Sequence, residues 1–139
     1  MALTQDRNTP EIAPNLSLLR VLPVKGGEVI YAGGMVALNA DGYAVRAAAN
    51  PDLKVLGRAE EAVDNTSGAD GDVFVKIKTG IFRYENATGD DEILKKHIGD
   101  ECYVVDDETV ARTDGDGNRP VAGKVFDVDN EGVWVKFEI

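Results

Sequence analysis

The sequence predicts a mainly β protein, a small barrel or sandwich made of two quasi-repeated β units, with an extended N-terminal arm and one short helical turn. Three observations predict this. Apolar residues fall in short alternating runs, bounded by Gly, Asn and Asp, as half-buried strands require. Runs of this length and spacing suit sandwiches and small barrels. The second half of the chain also reads like the first.

The repeat is carried by named residues. Val55-Leu56-Gly57-Arg58-Ala59, Val63-Asp64-Asn65 and Val73-Phe74-Val75-Lys76-Ile77 form one pass. Val121-Ala122-Gly123-Lys124-Val125, Val128-Asp129-Asn130 and Val133-Trp134-Val135-Lys136-Phe137 form the second. Upstream, Met35 to Asn39 with Ala44 to Arg46 matches Cys102 to Asp106 with Val110 to Arg112. The offset is 66 residues between Gly57 and Gly123 and 60 between Val73 and Val133. A glycine at one place in both copies, inside a strand, points to a bulge or a close backbone approach.

The elements follow in order. Residues 1–14 lack periodicity and hold Pro10 and Pro14, which disfavour helix, so they read as an extended arm. Residues 15–139 read as a single β domain, with quasi-repeats at about 33–79 and 101–139. Strands are expected at 16–22, 29–31 and 35–38; Asn39-Ala40-Asp41-Gly42 turns the chain into 43–47. A strand at 54–63 contains Gly57; residues 64–72 form a loop; 73–78 alternates with Val73, Val75 and Ile77 on one face. Gly80 interrupts before 81–85. Residues 90–98 are the one helical candidate, with Asp90 or Asp91 as cap, and are long enough for a turn or two. Strands resume at 101–105, 110–112, 121–128 and 133–139, with a loop at 113–119.

Composition limits the function. A chain of 139 residues fits one domain or two small fused β units. No apolar run approaches the ~20 residues of a membrane span, and no basic-then-apolar leader opens the chain. A single cysteine, Cys102, leaves no internal disulfide and suits a reducing cytoplasm. The net charge of −10 is uneven: zero over residues 1–23, −2 over 24–89 and −8 over 90–139. An acidic body argues against direct nucleic-acid binding, which needs clustered Lys and Arg.

No reaction centre assembles from the sequence. His97 is the only histidine, and neither Ser17 nor Ser67 sits in a nucleophile elbow. Asp114-Gly115-Asp116-Gly117-Asn118 begins like a calcium loop, but Arg119 and Val125 stand where Gly and Glu are needed. It reads as a hairpin loop, and Asp106-Asp107-Glu108 as an exposed turn. We expect no catalytic residue, no metal and no cofactor. The aromatics fall in strands, where core or inter-subunit packing is expected. Trp134 faces away from Val133 and Val135, which gives the last strand two apolar faces. Trp134, Phe74 and Phe126 are therefore the expected subunit interface.

Several of these segments resemble a family of small phage head proteins long described as a domain of unknown function. The resemblance rests on Gly33-Gly34-Met35-Val36-Ala37-Leu38 with Asp41-Gly42-Tyr43, and on residues 55–61, Gly80-Ile81-Phe82 and residues 103–107. It continues through residues 121–125 and 132–135, and spans about 24–139. It implies a capsid decoration, or cement, protein that docks on the outside of the assembled head. It implies the major capsid protein as partner, and a homo-oligomer, trimer ahead of dimer, without nucleic acid or membrane. The expected location is the outer surface of the virion after synthesis in the host cytoplasm. Thr4, Gln5, Arg7, Asn8, Thr9 and Ile12 of the N-terminal arm are then the capsid-binding candidates. A carbohydrate- or receptor-binding β module of a tail or surface structure is the alternative, and would need an exposed aromatic platform with polar neighbours.

Overall fold

The computed structural model describes Gln5 and residues 18–137. The fold is mainly β. The strands are β1 (Leu19–Pro23), β2 (Val29–Ile30), β3 (Met35–Leu38), β4 (Ala44–Arg46), β5 (Lys54–Ala59), β6 (Val63–Asp64), β7 (Phe74–Lys78), β8 (Gly80–Asn86), β9 (Glu101–Val104), β10 (Thr109–Ala111), β11 (Val121–Asp129) and β12 (Gly132–Phe137). The strand expected over 54–63 ends at Ala59, and Val63–Asp64 leaves to pair with β2 in a separate ribbon. The helical segment forms two 3₁₀ turns, Gly89–Asp91 and Lys95–His97.

Two sheets share one strand order. The first runs β1-β7-β5-β3-β4 and the second β8-β12-β11-β9-β10. The second closes into a barrel through parallel pairing of β10 with β8. The first meets itself at the same place, by a single parallel bridge between Val24 and Ala44. The matching contact in the barrel is Asn86 with Val110. The sheets therefore correspond strand for strand, beginning at β1 and β8, upstream of the repeat read from the sequence. The β2–β6 ribbon has no counterpart in the barrel.

Register corrects the repeat in its last strand. Arg58 pairs with Lys78, and Lys124 with Lys136. Lys78 therefore matches Lys136, and the offset there is 58 residues, not 60. The equivalent of Trp134 is Lys76, not Phe74. A slip of two keeps every side chain on its own face, so the alternation carried no warning of it.

Gly57 and Gly123 sit at equivalent register shifts, between β3 and β5 and between β9 and β11. A Cβ on Gly57 would stand 2.4 Å from the Lys78 carbonyl oxygen, and one on Gly123 would stand 2.4 Å from that of Lys136. Both glycines exist because a neighbouring backbone occupies the side-chain position.

The open seam of the first sheet has a covalent cause. In the barrel, Glu85 N–H donates to the Glu108 carbonyl and Ala87 N–H to that of Val110. In the first sheet Lys25 N–H donates to Ala44, matching the second bond. The first bond has no match, because Pro23 stands where Glu85 does and has no N–H. Beside this seam, buried Asn65 donates its Nδ2 hydrogens to the carbonyls of Val24, Lys25 and Ala69 at 3.0–3.1 Å.

Two apolar cores result. Val36, Ala44, Leu56, Val75 and Ile77 fill the first sheet with Ile30 of the ribbon. Met35, Ala37, Val45 and Ala47 turn the other way and join the barrel core around Val104, Val125, Val135 and Phe137. The halves are thus packed on each other. Met35 N–H donates to the Asp107 carbonyl, the Tyr84 hydroxyl donates to the Gly33 carbonyl at 2.8 Å, and Arg46 pairs with Asp107 at 3.0 Å. Burial pushes the Tyr84 phenol far above its ordinary range, so it stays a donor.

Candidate docking surfaces

The groups that carry chemistry are absorbed locally. His97 accepts the Leu94 N–H at its Nδ1, 2.8 Å away, and so closes its own 3₁₀ turn. Cys102 is buried, with its thiol against the Gly123 carbonyl, and burial pushes its pKa up to about 12. A thiol held protonated is a poor nucleophile. Asp106 accepts the Glu108 N–H, and Asp107 holds Arg46. In the 114–118 loop the Asp114 carbonyl accepts N–H bonds from Asn118 and Arg119. Among the described residues no three His, Cys, Asp or Glu side chains converge as a metal site requires. No helix among them is long and apolar enough to cross a membrane.

The surface is more informative. On β1 and β7, cross-strand partners share a face. Leu19 opposes Lys78, Val21 opposes Lys76 and Pro23 opposes Phe74. Leu19, Val21 and Phe74 are 62%, 53% and 54% exposed. Their inward neighbours Val75 and Ile77 are buried. The result is an apolar stripe edged by two lysines, neither with an ion-pair partner among the described residues. Leu19, Val21 and both lysines were missed in the sequence, where residues 18–22 are apolar on both faces but for Arg20. The signal that finds them is the pairing with β7.

A second apolar patch lies on the barrel. Phe126 is the extra residue of a bulge in β11, between Val125 opposite Val135 and Asp127 opposite Trp134. It is 55% exposed. Beside it runs the segment holding exposed Leu94 and Ile98, fastened to β11 by the Gly99 and Val125 N–H groups and by a Lys95–Asp127 ion pair at 2.8 Å. Of the three expected interface aromatics, Phe74 and Phe126 thus stand out from the surface, on different halves. Trp134 is half-buried and engaged by its own chain: its indole N–H donates to Asp129 at 3.0 Å, and Arg83 lies 5.7 Å from its ring. That indole bond is the first cause holding the Asp129 carboxyl below its usual range; Lys95 does the same for Asp127.

A third feature is a cleft of about 610 Å³ where the halves meet. Tyr31, 57% exposed, stands at it with the Arg46 guanidinium 5.3 Å from its ring, and Asp106, Asp107 and Glu108 also line it. Of the expected arm residues, Gln5 is exposed, while Thr4, Arg7, Asn8, Thr9 and Ile12 lie outside the described residues. The chain matches no family model, no curated protein and no solved structure.

Proposed function

We propose that this protein is a phage capsid decoration protein that docks on the outside of the assembled head and stabilises it by contact alone. The sequence resemblance supplies the class. The observation that carries it physically is the exposed stripe of Leu19, Val21 and Phe74 on the paired β1–β7 face, in a chain whose histidine and cysteine are engaged in local structure. A protein that binds only the assembled lattice stabilises that lattice by mass action and needs no chemistry. Modest contacts repeated by symmetry add through multivalency. The major capsid protein is the partner in this reading, and the virion surface the location.

Co-sedimentation with assembled shells and with unassembled capsid subunits tests it. Binding to shells alone, with a raised shell melting temperature, is the expected result. Binding to neither form removes the proposal.

A second reading is favoured by one observation. Tyr31 beside Arg46 and the carboxylates of the cleft is an exposed aromatic with polar neighbours, as a carbohydrate-binding module needs. Glycan binding that disappears in Tyr31→Ala would favour it over the capsid reading.

A further inference from the structure

We propose that the cleft between β5 and β11 is a binding site for a small organic anion, an apolar body that carries one carboxylate. The site goes beyond the capsid reading and does not rest on it.

Three observations carry it. The first is shape. The cleft has a volume of about 650 Å³, a size that suits a small ligand, and it lies where the first half meets the barrel. Pro51, Leu53 and Val55 line it from the first half, and Tyr103, Val121 and Ala122 from the barrel. The second is the internal repeat. Tyr103 pairs with Val121 next to the Gly123 bulge, as Ala37 pairs with Val55 next to the Gly57 bulge. Ala37 and Val55 pack against the barrel core. Tyr103 is only half-buried, and Val121 is 43% exposed. The face that one copy buries is thus left uncovered in the other, with a tyrosine in place of the alanine. The Tyr103 hydroxyl has no hydrogen-bond partner among the described residues and is available as a donor.

The third is charge. On a chain of net charge −10, this cleft holds Lys54, Lys124, Lys136 and Arg119 against Glu101 and Asp114. Arg119 is fixed by Asp91 at 3.2 Å and by the Thr113 carbonyl at 3.1 Å, so it serves as wall. Lys54 and Lys124 are exposed and form no ion pair among the described residues, although Lys124 lies across from Glu101. A cation in the cleft would meet like charge, and a neutral ligand would gain nothing from the two ammonium groups. An anion gains a charge-assisted hydrogen bond from them while its apolar body covers Tyr103 and Val121.

Phenylacetate and its neutral amide, phenylacetamide, are the probes, titrated into the full chain and followed by backbone amide NMR. The carboxylate should bind in the millimolar range, as suits so small a ligand, with shifts clustered at residues 53–55, 103 and 121–124. The amide should bind about tenfold more weakly. Lys54→Ala with Lys124→Ala should bring the carboxylate down to the affinity of the amide, and leave the amide's own affinity and the circular-dichroism melt unchanged. No shift at all overturns the proposal, as do shifts centred on Leu19 and Phe74 or on Phe126. Amide binding as tight as carboxylate binding overturns it too, because the cleft would then be a plain apolar contact. Cleft resonances that move when the protein alone is diluted would place a second copy there, and would also overturn it.

Discussion

β3 and β9 hold the same place in their sheets, yet β3 is buried on both faces and β9 on one. Met35, Val36 and Ala37 are fully buried, two facing the barrel core and one the first core. In β9 Cys102 and Val104 are buried while Glu101 is exposed. The difference extends over the halves. The barrel is closed by its own hydrogen bonds and carries net charge −7 over residues 80–137; the first sheet is seamed at one bridge and carries −1 over residues 19–78. One topology thus serves two purposes. The closed copy forms a self-sufficient core, and the open copy uses that core as a wall. The lesson is that a repeat is conserved in its pairing and free in its burial.

The comparison can be broken in order of effect. Met35→Ala removes a fully buried side chain at the shared wall, and should cost about 2–5 kcal/mol. Urea unfolding should remain a single transition; two separated transitions would mean that the halves are independent. Next, Gly57→Ala and Gly123→Ala should each cost about 1–3 kcal/mol, since each forces a Cβ onto an equivalent carbonyl, with Gly57→Ala the costlier because Gly57 also holds a φ of +156°. A large cost at one position and none at the other would end the equivalence of the bulges.

Pro23→Ala sharpens the comparison. It restores the missing N–H at the seam and releases the unfolded chain from the proline constraint, so the net change should stay within about 1 kcal/mol. Hydrogen exchange is the decisive readout: the new amide at position 23 should be protected by the Gly42 carbonyl, the counterpart of Glu108. An unprotected amide would show that the seam is open for another reason. The smallest effect is acid sensitivity. Asp91, Asp127 and Asp129 in the barrel half are held below the usual carboxylate range, first by the Thr113 hydroxyl, Lys95 and the Trp134 indole respectively. In the first half Asp64 is held down likewise, through Thr66. A carboxyl whose folded pKa lies below its unfolded value of about 4 stabilises above that value and stops doing so as pH falls through the folded pKa. Stability should therefore decline below about pH 4, with NMR changes appearing at more barrel carboxylates than first-sheet ones.

Much of this fold was legible because alternation and turn residues act locally. The runs around Val75, Ile77, Val133 and Val135 alternate because one side of each strand meets a core. Gly57 and Gly123 announced their bulges because no other residue tolerates a carbonyl at 2.4 Å from a Cβ. What stayed hidden depends on pairing. The two-residue slip that set Phe74 beside Trp134 preserves facing, so only register exposes it. The stripe was hidden because Leu19 and Leu22 look alike until β7 turns one outward and the other inward. Phe74 and Phe126 were legible as interface candidates by residue type. Trp134 was read without its indole bond, which only the turn at Asp129 supplies.

The joint between the halves is a single residue. β7 ends at Lys78 and β8 begins at Gly80, and Thr79 between them is 3% exposed. Its N–H donates to the Leu18 carbonyl, and its hydroxyl accepts the Leu18 N–H at 2.8 Å. Tandem copies of one topology are prone to trade strands between molecules, and such exchange needs a hinge long enough to let one copy swing away. A buried one-residue joint has no slack for that swing. A load on β7 therefore passes straight into β8, and the two halves respond to a pull as one stiff bar.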